Sequence, residues 1–146
     1  MKLSAKSRYA LASVTKMAMA YDSKETMTIL EIATDLNISK IYLERVFSQL
    51  KQGNIVSAIK GAQGGYFLTN TPDKISIYEV LSSVEPALFA DNEKTVDEIA
   101  PKIEQALQQQ IYIRLDEALK ESLSSVTLAD LAEDAQKDDD NYMYYL

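Results

Sequence analysis

Nine of the fifteen basic residues fall within the first seventy positions: Lys2, Lys6, Arg8, Lys16, Lys24, Lys40, Arg45, Lys51 and Lys60. Only five carboxylates, Asp22, Glu25, Glu31, Asp35 and Glu44, stand against them, so this half carries +4. Residues 71–146 hold six basic and seventeen acidic side chains and carry −11, which brings the 146-residue chain to −7. A basic half joined to an acidic half implies that the first meets a polyanion and the second serves another purpose. Other chemistry is narrowed by three absences, since the sequence has no Cys, no His and no Trp. A Ser-His-Asp triad, a thiol nucleophile, a disulfide, a zinc finger and a thiolate-ligated iron–sulfur cluster are excluded. Carboxylates alone would suit Mg²⁺ or Ca²⁺, but here they are spread along helical segments and pair in no apparent pocket loop.

The cations gather where backbone elements begin or turn. Ser4 is a good N-cap for a helix over residues 5–21, which places Lys2, Lys6 and Arg8 at its N-terminal end. Cations there oppose the helix dipole unless an external anion such as phosphate sits nearby. Thr28 and Glu31 form a T-x-x-E capping box for a short helix over 29–35. Leu36-Asn37-Ile38 makes a tight turn, and Ser39 caps a third helix over 40–52 whose Leu43, Val46, Phe47 and Leu50 form one apolar stripe. Gly53 is expected to end that helix at positive φ. Two short helices joined by a tight turn read as a helix-turn-helix.

Ile55 to Lys60 is then an alternating β-branched run, Gly61-Ala62-Gln63-Gly64-Gly65 a turn, and Tyr66 to Thr69 a second short strand. A hairpin directly after a helix-turn-helix makes a winged helix, with Lys60 at the base of the wing. Walker and dinucleotide-loop spacings are absent from the glycine cluster, and no helix opens after it.

Ser76 starts a fourth helix, through Ile77, Val80, Leu81 and Val84, and Pro86 breaks the chain after it. Ile99, Ile103, Ala106, Leu107, Ile111, Leu115, Ala118, Leu119 and Leu123 then recur at spacings of three and four. Thr95 and Glu98 could cap this long helix, or it could begin at Pro101, the favoured first position. So long a stripe exceeds what a small domain needs, and it would pack on a second copy or fold back on its own domain. Thr127 caps a final short helix, and Lys137-Asp138-Asp139-Asp140 reads as a mobile linker. Tyr142-Met143-Tyr144-Tyr145-Leu146 is then either a strap on the core or a docking peptide. The division expected is 1–84 for a DNA-binding domain, 85–136 for linker, long helix and short following helix, and 137–146 for the tail. The fold class expected is mainly α with a β-hairpin wing. No apolar run spans a bilayer and no signal-peptide core opens the chain, so a soluble, cytoplasmic protein without membrane contact is expected.

The string Ser39-x-x-Tyr42-Leu43-Glu44, then Gly53-x-Ile55-Val56-x-x-x-Lys60-Gly61-x-x-Gly64-Gly65-Tyr66-x-Leu68, with the opening Met1-Lys2-Leu3-Ser4-x-Lys6-x-Arg8-Tyr9, resembles the Rrf-two family of bacterial winged-helix repressors. The resemblance implies a homodimer on a pseudo-palindromic DNA operator and no enzymatic activity. It assigns DNA contact to Ser4, Lys6, Arg8, Ser39, Lys40, Tyr42, Glu44, Arg45, Lys60, Gly61 and Gly64. It assigns dimerisation to Ile103, Leu107, Ile111, Leu115 and Leu119 on the long helix. Glu44 would accept from a cytosine amino group, or else form an i,i+4 pair with Lys40. At the wing, Lys60 stands where the family more often has Arg.

Cluster-binding members carry three cysteines between the fourth helix and the long helix, and the stretch Glu85 to Glu93 has none. No cofactor is therefore expected. Among cluster-free members the chain is similar to the cysteine-metabolism repressors, which share its size and aromatic C-terminus. In that branch cysteine synthase is a partner, which implies a docking role for Tyr144, Tyr145 and Leu146. A winged helix that serves only protein–protein contact is the alternative reading.

Overall fold

The computed structural model describes residues 2–62 and 64–144, with side chains through residue 137. Helix α1 (Ala5–Met19) begins as the sequence dictates, with the Ser4 hydroxyl accepting from the Ser7 amide at 3.2 Å. It buries Ser7, Ala10, Val14, Met17 and Ala18 along one stripe. Helix α2 (Ile29–Leu36) carries the full Thr28–Glu31 capping box. It ends on Asn37 in the left-handed conformation (φ 53°, ψ 49°), which Asn tolerates better than most residues. Helix α3 (Lys40–Gln52) sinks Leu43, Val46, Phe47 and Leu50 completely into the core.

Gly53 departs from expectation. Its φ is −80°, and the left-handed residue is its neighbour Asn54 at φ 61°. Space, not backbone freedom, demands glycine here: a Cβ at Gly53 would lie 2.2 Å from the Cβ of Ser83 on the fourth helix.

Strands β1 (Val56–Ile59) and β2 (Gly65–Leu68) pair antiparallel, with Val56 opposite Leu68 and Ile59 opposite Gly65. A further bridge ties this wing to the α1–α2 loop, through reciprocal Met27 and Tyr66 hydrogen bonds of 2.9 and 2.8 Å. Helix α4 (Ile77–Val84) is started by a second capping box, Ser76 with Glu79, and a 3₁₀ turn over Pro86–Phe89 follows it.

The next helical run begins at Pro101, not at Thr95. Helix α5 (Pro101–Leu107) passes through a π-helical turn (Gln108–Tyr112) into α6 (Ile113–Ser124). Among the described residues Thr95 and Glu98 form no capping box. Instead the fully buried Glu104 reaches back, its two carboxylate oxygens accepting from the Thr95 and Val96 amides at 3.3 Å each. Pro101 occupies the helix start because it has no N–H to leave unsatisfied there.

The last helix, α7 (Leu128–Tyr144), is longer than expected and runs through the segment read as a linker. It packs along α1, burying Leu128 and Ala132 in the winged-domain core, and the Gln136 amide reaches the Met19 carbonyl at 3.5 Å. Backbone bonds from Ile77 to Val126 and from Leu128 to Ile75, 2.9 Å each, close the excursion at its base. Residues 85–124 are therefore an arm whose two ends both root in one core. Among the described residues no helix is long and apolar enough to cross a membrane.

Candidate nucleic-acid interface

Burial of the Leu43, Val46, Phe47 and Leu50 stripe fixes which side of α3 faces outward. Lys40, Ile41, Glu44, Arg45 and Ser48 occupy that outer face, all exposed. The Ser39 hydroxyl accepts from the Tyr42 amide at 3.4 Å and keeps its own proton to donate. Such an N-cap stabilises its helix by about 1 kcal/mol relative to alanine. The Tyr42 ring meets Tyr9 of α1 edge-on, with centroids 5.2 Å apart and planes at 87°, so it locks the start of α3 against α1. Sequence reasoning assigned Tyr42 to DNA and missed this second role.

Helix α1 delivers Lys6 to the same face. Lys6 shares a surface depression of about 520 Å³ with Ile41, Glu44, Arg45, Ser48 and Gln49. Arg8 is exposed in the first two turns of α1. Ser4 is less free than expected. Its hydroxyl donates to Ser7 at 3.3 Å, and the buried Ser7 donates in turn to the Glu85 carboxylate. This chain ties the N-terminus of α1 to the first residue of the arm. No local pattern signals it, because Ser7 and Glu85 are 78 residues apart.

At the wing, Lys60 is exposed immediately after β1. Two of the three expected turn glycines serve different needs. Gly61 has φ 119° and open space around it, so its backbone conformation is the constraint. A Cβ on Gly64 would instead lie 2.2 Å from the Ile59 carbonyl oxygen, so the constraint there is room.

The charges on this face are largely uncommitted. Three ion pairs form among the described residues: Lys16 with Asp35 (3.7 Å), Lys24 with Glu31 (4.0 Å) and Lys40 with Glu44 (3.9 Å). Lys6, Arg8, Arg45 and Lys60 take part in none of them. Glu44 thus sits in the i,i+4 pair weighed for it, which exposure makes worth well under about 1 kcal/mol and easy to exchange for another partner. The face offers exposed cations and the Glu44 carboxylate as an acceptor on the solvent side of α3.

Of the residues assigned to dimerisation, Ile103 (58% exposed), Ile111 (44%) and Leu115 (62%) face solvent. Leu107 and Leu119 are half-buried. The side chain of Tyr144, and all of Tyr145 and Leu146, lie outside the described residues.

A helix-turn-helix with a two-stranded wing narrows the family, and comparison with known proteins decides it. Residues 3–134 match the Rrf2 model, described as an iron-dependent transcriptional regulator. The chain belongs to the Rrf2 family. It is 34% identical to the HTH-type transcriptional regulator CymR of Bacillus subtilis, with both chains covered completely. The solved structure of that protein, the global cysteine regulator of B. subtilis, superposes with a TM-score of 0.73 over 91% of this chain and 97% of the other, at 33% identity. The IscR of T. potens gives the same TM-score over 94% and 90%, at 25% identity. This Rrf2 chain is accordingly a DNA-binding winged-helix transcriptional regulator and not an enzyme.

The iron dependence in the family's description does not fit the donor set. Thiolates and imidazoles are absent from the sequence. Among the described residues no three carboxylates converge on a point. Glu104, the one fully buried carboxylate of the arm, already accepts two amide hydrogen bonds.

Proposed function

We propose that two copies of this chain bind a pseudo-palindromic operator and repress transcription in the cytoplasm. The observation that carries the reading is the outward face of α3. A helix whose inner stripe is completely buried presents Arg45 beside Lys6, and among the described residues these two, Arg8 and Lys60 take part in no ion pair. Such an array gains free energy from a polyanion by counterion release. The contact set is Ser39, Lys40, Tyr42, Glu44 and Arg45 on α3 in the major groove, Ser4, Lys6 and Arg8 on the phosphate backbone, and Lys60 with Gly61 and Gly64 on the wing. Lys60 supplies charge without the flat guanidinium that suits a narrow minor groove.

Dimerisation rests on Ile103, Ile111 and Leu115, large apolar side chains left exposed on one helical arm. Leu107 and Leu119, half-buried on the same helical run, complete the apolar set. A two-fold arrangement places two copies of α3 on successive major-groove faces about 34 Å apart. With several phosphates neutralised per protomer, affinity for the operator falls at least about a thousandfold between 50 and 200 mM salt. Gel retardation of genomic promoter fragments tests the reading. A salt-sensitive shift is expected, and unaltered mobility at 50 mM salt would leave a module for protein–protein contact only.

Likeness to CymR along the whole chain supports regulation of cysteine or sulfur metabolism, with cysteine synthase as a partner bound through Tyr144, Tyr145 and Leu146. Capture of cysteine synthase by the intact chain, and not by a chain lacking residues 142–146, is the expected result; equal capture by both removes the tail from the account.

A further inference from the structure

One side chain on the outer face of α3 is chemically unlike its neighbours. Ile41 is 70% exposed, the most exposed large apolar residue in the described part of the winged domain. It lies two residues before Leu43, about 200° around the helix from the buried stripe. No packing requirement within the chain accounts for it there. Lys40, Glu44 and Arg45 surround it, and it forms part of the same depression as Lys6, Arg45 and Gln49. It sits in the first turn of α3, the part of a recognition helix that reaches base edges.

The charged neighbours can read phosphate, guanine or cytosine, but none of them can recognise an apolar group. In the major groove the one apolar group is the 5-methyl of thymine. We infer that Ile41 is a specificity-determining residue that packs on a thymine methyl in each operator half-site. Its β-branched side chain is stiff at χ1, so its Cγ2 methyl is held in place, as a shape-reading contact requires. The inference rests on the DNA-binding reading above and adds the identity of one base.

Random duplexes are selected on the purified full-length chain, and the recovered site is remade with each thymine replaced in turn by uracil, which removes only the methyl group. Wild-type affinity is expected to fall about fourfold at one thymine per half-site, the value of one buried methyl-sized group. Ile41→Ala should bind the thymine and uracil duplexes equally, and Ile41→Val should keep part of the preference. Half-sites selected without thymine, a wild type indifferent to every replacement, or the same thymine preference in Ile41→Ala would each overturn the inference. Failure of the wild type to bind any duplex at 50 mM salt would remove the DNA reading itself, an outcome separate from these.

Discussion

Helix α3 and the helical run over 101–124 carry the same kind of sequence, apolar residues at spacings of three and four among polar ones, and meet opposite fates. In α3 all four stripe residues are completely buried. Along 101–124 no apolar side chain is buried, and Ile103, Ile111, Ile113 and Leu115 remain in contact with solvent. Charge runs the other way. Around α3 lie Lys6 and Arg45, in no ion pair among the described residues, whereas the half containing the arm carries −11. Periodicity thus specifies that a face will be buried but not by whom. In the winged domain the rest of the chain covers it; on the arm a second copy is proposed to do so. The acidic half would repel a duplex and leave the basic face to meet it.

The comparison breaks most visibly at its best-packed point. Phe47→Ala should cost about 3–5 kcal/mol in denaturant-unfolding free energy, the value for truncating a buried aromatic ring. The same truncation on the arm, Leu115→Ala, should leave the monomer's stability nearly unchanged, because no core is disturbed. Ile111→Glu combined with Leu115→Glu should convert a dimer to a monomer in sedimentation equilibrium. Operator affinity should drop on the order of a hundredfold as the two half-sites lose their linkage. A double variant that stays dimeric would place the interface elsewhere.

Gly53→Ala comes next, with an expected loss of about 1–3 kcal/mol in thermal or denaturant unfolding from the overlap with Ser83. A backbone-conformation role would predict no loss at φ −80°, so this variant separates the two accounts. Smallest in free energy are Arg45→Ala and Lys60→Ala. Each should weaken operator binding about three- to tenfold and flatten the salt dependence by about one charge per protomer, with an unchanged melting temperature.

Features held by local hydrogen bonds were legible in the sequence. Ser4, Thr28 with Glu31, Ser39 and Asn37 stand at helix ends as read, because a cap involves residues three or four apart. The wing was legible for the same reason, its glycines and alternating residues all lying within fifteen positions. Ser76 with Glu79 is equally local and was readable, though only Ser76 was picked out.

What escaped depends on partners remote in sequence. Gly53 is explained by Ser83 on α4, and Glu104 by amides eight and nine residues upstream. Helix α7 packs along α1 as far as Gln136, which reaches Met19, and continues as helix through the charged stretch whose composition suggested a linker. Of the candidate interface, the cations were visible by charge counting. Ile41 was not singled out, although its place off the Leu43–Leu50 stripe was a usable signal. The Ser4–Ser7–Glu85 chain had none.

The central claim is that two basic winged domains, joined through the arms, hold one duplex. Fluorescence anisotropy of a labelled selected duplex, titrated with the full-length chain in the stoichiometric regime, measures it directly. Saturation at two chains per duplex is expected, with affinity falling steeply between 50 and 200 mM salt. Saturation at one chain per duplex, or an affinity insensitive to salt, would contradict it.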